Sequence, residues 1–237
     1  MEVIILAGGL GTRLRSEIRN VPKCMAPIGS KPFLWYLLKD LTKYEEVNRI
    51  ILSVGYLREV IFEWLDKVKD EFPFEFVYAI EDQPLGTGGG IKLALSMAKT
   101  NDVVVLNGDT YFAVNIHELM EAHKLYPSAV TLALKPMHNF ERYGCVIVDT
   151  ESNKIVEFKE KKYCEEGLIN GGIYIINKQE PLFDGLPNKF SFETAVFEPQ
   201  CKLGKLFGVI QNGYFIDIGI PEDYKKACYE LRKIFGE

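Results

Sequence analysis

Two isolated carboxylates, a glycine turn and three cations are the side chains here whose types and spacing could do chemistry. Asp109 stands in Asn107-Gly108-Asp109-Thr110, directly after the apolar run Val103–Leu106. Asp217 stands in Phe215-Ile216-Asp217-Ile218-Gly219, at the end of a second apolar run. Single aspartates at strand ends, completed by phosphate oxygens and water, make a magnesium site of the usual sparse kind. An isolated Asp-Gly or Asp-Thr is also a common turn, so neither aspartate decides the matter alone. The anion-binding candidate is Ala7-Gly8-Gly9-Leu10-Gly11-Thr12-Arg13-Leu14, with Pro22-Lys23 shortly after it. Three glycines in four positions let backbone N–H groups crowd around an anion, and Arg13 adds charge. Residues 1–31 set Arg13, Arg15, Arg19, Lys23 and Lys31 against only Glu2 and Glu17, in a chain of net charge -5. A solvated basic face would explain the charge; it would not explain the glycines. Leu14 occupies the place where a dinucleotide fingerprint needs Gly or Ala, and no Gly-Lys is followed by Ser or Thr, which excludes a P-loop.

The histidines, His117, His123 and His138, fall in no nucleophile or metal motif, and His117 and His123 read as members of a solvated helix face. A Ser–His–Asp mechanism therefore has no support. Phosphate chemistry needs none, because a phosphate monoester is already anionic at pH 7. Catalysis then reduces to in-line positioning and charge neutralisation.

These residues need a scaffold that brings strand ends together. Apolar runs and helical periodicities alternate through the first half. Strands are expected at Glu2–Leu6, Arg49–Val54, Phe74–Ile80, Val103–Leu106 and Ala129–Leu134. Helices are expected at Phe33–Tyr44, Leu57–Val68, Gly90–Ala98 and Ile116–Lys124. This rhythm predicts an α/β, Rossmann-like, mostly parallel sheet with helices on both faces. Ligands of such sheets sit beyond the carboxyl ends of the strands, where the glycine turn falls. From Tyr143 strands predominate: Cys145–Val148, Lys154–Phe158, Gly172–Ile176, Leu206–Ile210 and Gly213–Ile216. A helix follows Pro221, with Glu222 and Asp223 favourable in its first turn. One domain over 1–237 is expected, with a nucleotide-binding half to about residue 135 and a sugar-binding half from about residue 136.

With 47% hydrophobic and 26% charged residues, the chain is an ordinary globular one. No apolar run approaches the roughly 20 residues of a membrane span, and Met1-Glu2-Val3-Ile4-Ile5 reads as a first strand rather than a signal peptide. Five scattered cysteines, Cys24, Cys145, Cys164, Cys201 and Cys228, fit a reducing cytoplasm. The negative net charge argues against nucleic acid and anionic membrane as partners; a homo-oligomer is compatible with the sequence.

Gly8-Gly9-Leu10-Gly11-Thr12-Arg13-Leu14 followed by Pro22-Lys23-Cys24-Met25-Ala26-Pro27 resembles the signature of the sugar-phosphate nucleotidyltransferases. That pattern reads Gly-Gly-x-Gly-Thr-Arg-Leu, then Pro-Lys-x-Met, and the resemblance continues in family order along almost the whole chain. It implies that Leu6, Ala7, Gly8, Gly9, Gly11 and Thr12 hold a nucleoside triphosphate, while Arg13 and Lys23 neutralise the pyrophosphate and the α-phosphate. It implies that Glu81-Asp82-Gln83-Pro84-Leu85-Gly86-Thr87-Gly88-Gly89-Gly90 packs against the base and ribose, through Glu81, Pro84, Gly86 and Thr87, with Gly108 beside them. Asp109 and Asp217 would both hold Mg2+. Phe158-Lys159-Glu160-Lys161 resembles the family's Phe-x-Glu-Lys, which assigns Glu160 to sugar hydroxyls and Lys161 to the sugar phosphate. On composition alone that stretch is a charged surface run. Gly144, Asn170, Gly171 and Glu193 would complete the sugar side, with Tyr143 beside Gly144. Two positions depart from the pattern: Cys24 replaces a common proline, read as packing, and Ile220 replaces a threonine hydroxyl. Stretches such as Leu134-Lys135-Pro136-Met137 and Phe140-Glu141-Arg142-Tyr143-Gly144 resemble GTP-using members, so GTP and a sugar 1-phosphate, a heptose phosphate first, are the implied substrates. A uridylyl- or mannose-specific transferase, and a non-catalytic nucleotide-sugar sensor, are the alternatives.

Overall fold

Period-two alternation of apolar residues decides how the first strands are layered. The computed structural model describes residues 1–9, 14, 17, 18, 20–159 and 161–237. Its elements run β1 (Glu2–Leu6), β2 (Pro27–Ile28), β3 (Lys31–Pro32), α1 (Phe33–Leu41), β4 (Arg49–Val54), α2 (Arg58–Val68), β5 (Glu75–Ile80), α3 (Gly86–Leu95), β6 (Asp102–Asn107), β7 (Thr110–Phe112) and α4 (Ile116–Leu125). Then follow β8 (Val130–Phe140), β9 (Cys145–Asp149), β10 (Lys154–Phe158), β11 (Cys164–Asn177), a π-helical turn (Glu193–Phe197), α5 (Glu198–Lys202), β12 (Leu206–Ile210), β13 (Phe215–Asp217) and α6 (Pro221–Phe235). In β1, Val3 and Ile5 enter one core while Ile4 enters another; β4 and β6 divide Ile50 and Leu52 from Ile51, and Val104 and Leu106 from Val103 and Val105, in the same way. Strands buried on both faces must carry near-continuous apolar runs, and these do. Helices α1, α2 and α6 cover the first face, and α3 covers the second.

Among the described residues nine strands form one sheet in the order β5-β4-β1-β6-β11-β8-β12-β10-β9. β5, β4, β1 and β6 pair in parallel, as does β12 with β8. β11 joins β6 and β8 antiparallel. β9 pairs with β10 and returns to β11 at Leu168↔Val146 and Ile169↔Cys145, so β11, β8, β12, β10 and β9 close into a ring. Closure removes a free edge that would otherwise invite pairing with another chain.

Three elements differ from the sequence expectation for identifiable reasons. β11 starts at Cys164, eight residues before the expected Gly172; Glu165 and Glu166 hide its exposed first half. β8 runs on to Phe140 through Lys135, Pro136 and His138, which break the apolar pattern. α3 begins at Gly86 instead of Gly90, although glycine is a poor helix former; packing described below overrides propensity. His123 is a correction. It is buried at 4% exposure, its Nδ1 lies 2.9 Å from Thr131 Oγ1 and its Nε2 lies 3.5 Å from Asp102, whereas His117 is exposed beside Glu46. At the opposite end of the sheet from the glycine turn, buried Glu2 accepts from Arg49 at 2.6 Å and from the Lys99 and Thr100 N–H groups, pinning β1, β4 and the approach to β6.

Candidate active site

The two aspartates are brought together by backbone pairing. β7 and β13 form a small antiparallel sheet in which Asp217 faces Thr110, and Ile218 N–H donates to the Asp109 carbonyl at 3.0 Å. Lys23, on the short 3-10 turn Lys23–Met25, reaches both: its Nζ donates to Asp109 Oδ2 at 2.6 Å and to Asp217 Oδ1 at 3.5 Å. A side chain at Gly219 would meet Asp217 Oδ1 at 2.9 Å and Lys23 Nζ at 3.3 Å, so glycine keeps this junction open. Burial and then the Asp109 charge push the Asp217 carboxyl above its usual range, against the pull of Lys23. Two hard oxygen donors whose mutual repulsion a cation would relieve suit a divalent ion that takes its remaining ligands from phosphate and water. No third acidic, His or Cys side chain joins them into a closed metal cluster among the described residues.

Beside this pair lies a cavity of about 370 Å³, within the range of small-molecule sites. It is lined by Leu6, Ala7, Gly8 and Gly9 after β1, by Glu81, Pro84, Gly86 and Thr87 after β5, and by Gly108, Asp109 and Lys23. All of these were candidates from the sequence. Gly90, the last glycine of the stretch assigned to the base and ribose, also lines it, as do Asn107 and Cys24, which were not candidates. Cys24 could have been found from its place inside Pro22-Lys23-Cys24-Met25; its thiol is pushed up to about 12, by burial first and then by Asp109, and so stays protonated. Gly11, Thr12 and Arg13 lie outside the described residues.

Glu81 is held as an acceptor. Its Oε1 accepts from Ser53 Oγ at 2.9 Å and its Oε2 from the Leu85 N–H at 3.0 Å. Side chains at Gly8 and Gly90 would come within 2.7 and 2.9 Å of Oε1. Ser53 gave no signal in the sequence, being one buried hydroxyl in an apolar strand. The glycines of Gly86–Gly90 also have a second purpose. A Cβ at Gly88 would lie 2.1 Å from the Phe190 ring, and one at Gly89 would lie 2.2 Å from the Asn188 carbonyl. Gly88 N–H donates to Phe190 O and Phe190 N–H to Leu85 O. This docking against the 188–190 segment is what lets a glycine-rich stretch fold as the first turn of α3.

The sugar-side candidates among the described residues lie outside the cavity lining. Asn170 and Gly171 sit at the register shift of β11; Asn170 Oδ1 accepts from Gly172 N–H at 2.9 Å, and its Nδ2 donates to the buried Tyr174 hydroxyl at 3.2 Å. Gly171 makes room for the Phe112 ring. Glu193 Oε2 accepts from Thr87 Oγ1 at 3.1 Å and from Ser191 Oγ at 2.7 Å, linking the rim of the cavity to the π-helical turn. Gly144 packs against the Lys159 carbonyl, Lys161 is exposed, and Glu160 lies outside the described residues. Tyr143, ahead of Gly144, turns its hydroxyl toward Asp217 Oδ2 at 3.5 Å.

Comparison with known proteins places this geometry. The nucleotidyl transferase family model matches residues 2–234. The chain is 47% identical over 232 residues to D-glycero-alpha-D-manno-heptose 1-phosphate guanylyltransferase of Aneurinibacillus thermoaerophilus, covering 98% of this chain and 99% of the relative. It is 48% identical over 225 residues to the protein of the same name from Campylobacter jejuni, covering 94% and 97%. Among solved structures it resembles HddC from Yersinia pseudotuberculosis complexed with GMP-PN, with a TM-score of 0.81, 37% identity, and 97% and 98% of the two chains covered.

Proposed function

This chain belongs to the nucleotidyl transferase family, and we propose that it transfers GMP from GTP to D-glycero-α-D-manno-heptose 1-phosphate, giving GDP-heptose and pyrophosphate. The observation that carries the reading is the junction of Lys23, Asp109 and Asp217 beside a cavity walled by Gly8 and Gly9. An oxygen of the sugar phosphate attacks the α-phosphorus of GTP, the bond from that phosphorus to the β-bridging oxygen breaks, and pyrophosphate leaves. No proton need be removed from the nucleophile. Gly8 and Gly9 offer unobstructed backbone to the phosphates; Lys23 and Arg13 carry the positive charge for the α-phosphate and the leaving pyrophosphate. Asp109 and Asp217 would hold Mg2+, which when bound supplies charge neutralisation for the phosphate oxygens. Lys161, Glu160, Asn170 and Glu193 serve the sugar phosphate and its hydroxyls.

Glu81 supports guanine. A carboxylate has about four acceptor sites, and two are taken by Ser53 and Leu85. Guanine offers N1–H and the N2 amine side by side, matching the remaining acceptors. Uracil offers one N–H between two carbonyls, which a carboxylate repels. The heptose rests on the names of the relatives at 47% and 48% identity. Pyrophosphate release would be measured with magnesium, with GTP, ATP, UTP, CTP and dTTP each against heptose, mannose and glucose 1-phosphates. GTP with the heptose phosphate should lead in kcat/KM by a wide margin. A lead for UTP with every sugar would overturn the guanine reading, and no pyrophosphate with any pair would leave a sensor.

A further inference from the structure

The turn between β8 and β9 holds a guanidinium to which the reaction above gives no part. Arg142 Nη2 donates to Asp223 Oδ2 in the first turn of α6 and, at 3.2 Å, to the Tyr143 hydroxyl. Its guanidinium carbon lies 5.3 Å from the centre of the Tyr143 ring. Tyr143 Oη in turn donates to Asp217 Oδ2 at 3.5 Å. Arg142 thus stands two hydrogen-bonded contacts from a carboxylate at the centre of the site. It also stands on the side where the chain runs toward Lys161. A Cβ on Gly144 would meet the Lys159 carbonyl at 2.7 Å, and Lys159 N–H donates to Cys145 O at 2.8 Å.

The charges on this side do not balance for a second anion. Asp109, Asp217 and Asp223 are all acidic, and the Lys23 ammonium is occupied by the first two. A sugar 1-phosphate brought toward Asp217 is served so far by Lys161 and by the Mg2+ the aspartates would hold, and Arg142 adds a second cationic side chain on this side. Arg142 Nη2 is engaged, but Nε and Nη1 make no hydrogen bond among the described residues, and the side chain is 35% exposed. A planar fork with free N–H groups suits two phosphate oxygens better than an ammonium does. Asp223 on a fifteen-residue helix and the Tyr143 ring hold that fork in one orientation before substrate arrives.

We propose that Arg142 binds the phosphoryl group of the sugar 1-phosphate, with Asp223 and Tyr143 as the residues that position its guanidinium. The proposal rests on the sugar-phosphate reading above. Its test compares wild type, Arg142→Ala, Arg142→Lys and Asp223→Asn, with both substrates varied in steady state and with thermal melts to verify folding. D-glycero-α-D-manno-heptose 1-phosphate and mannose 1-phosphate would also be titrated calorimetrically onto the wild type and Arg142→Ala. Loss of a hydrogen-bonded charge partner should raise KM for the sugar 1-phosphate in Arg142→Ala by roughly tenfold to a hundredfold, with KM for GTP unchanged. Arg142→Lys, which keeps charge without the fork, should fall between, and Asp223→Asn should move the same constant by less. An unchanged sugar-phosphate KM in Arg142→Ala, equal losses for both substrates, or a shift confined to the metal concentration needed for half-maximal rate would each overturn the assignment. A wild type that releases no pyrophosphate would sink the functional reading alone; the calorimetric comparison would still decide Arg142.

Discussion

Asp109 and Ser53 are the residues where a single atom tests the site. Replacing one carboxylate oxygen in Asp109→Asn removes a metal donor and should lower turnover by about two orders of magnitude or more, on the scale of lost electrostatic stabilisation. The variant should melt close to wild type, because the weakened contact with Lys23 Nζ is offset by relief of the repulsion that adds to burial in raising the Asp217 carboxyl. Near-normal turnover in magnesium would remove Asp109 from the metal site. Ser53→Ala is subtler. Ser53 is fully buried and its hydroxyl touches the Glu81 carboxylate rather than the cavity. Loss of one net hydrogen bond, about 1 kcal/mol, should raise KM for GTP several-fold and narrow the preference for GTP over UTP. Unaltered selectivity would mean that Leu85 alone holds Glu81 in place.

Helix α6 shows what an element loses when one hydroxyl is missing. Its N-cap, Ile220, has the extended backbone of a capping residue (φ -133°, ψ 158°) but no side-chain acceptor for the first-turn N–H groups. Pro221, Glu222 and Asp223 partly compensate, by lacking a donor and by opposing the helix dipole. The same helix carries Asp223 and packs its Tyr224 hydroxyl on the Pro27 carbonyl at 2.6 Å, close behind Lys23. Ile220→Thr and Ile220→Val differ only in a hydroxyl for a methyl. The threonine variant should be the more stable by about 1 kcal/mol, read from paired denaturant melts. Equal stabilities would show that the Ile220 position does not cap.

For the whole molecule, the buried His123 sets a pH dependence that its sequence neighbours do not announce. Burial, opposed by the pull of Asp102, lowers its pKa below the usual histidine value. The unfolded chain therefore binds more protons near pH 6. The stability His123 contributes is complete above about pH 6.5 and is lost as pH falls from there toward the folded value. While one proton separates the two states the slope approaches about 1.4 kcal/mol per pH unit. His123→Gln should flatten the decline of unfolding free energy between neutral and mildly acidic pH, whereas His117→Gln, at an exposed position, should leave it intact. Matching pH profiles for wild type and His123→Gln would refute the role.

Local composition alone determined the parallel strands and the strand ends that line the cavity. Val3–Ile5, Ile50–Leu52 and Val103–Leu106 are apolar at every position because both faces are buried, and the residues at their carboxyl ends must then face one crevice. Gly8, Gly9 and Asp109 were legible for that reason and Lys23 from its place after the glycine turn, whereas the family resemblance added Glu81. What lay beyond the sequence depends on contacts between distant segments. Nothing local shows that Gly88 and Gly89 clear space for Phe190 and Asn188, or that β9 returns to close a ring on β11. The charged start of β11 masked the longest strand, since an exposed half-strand has no apolar period to read. His123, Ser53 and Arg142 acquire their surroundings from partners 21, 28 and 81 residues away in Asp102, Glu81 and Asp223. Burial and charge pairing of that kind are properties of three-dimensional proximity, and only the tertiary structure decides them.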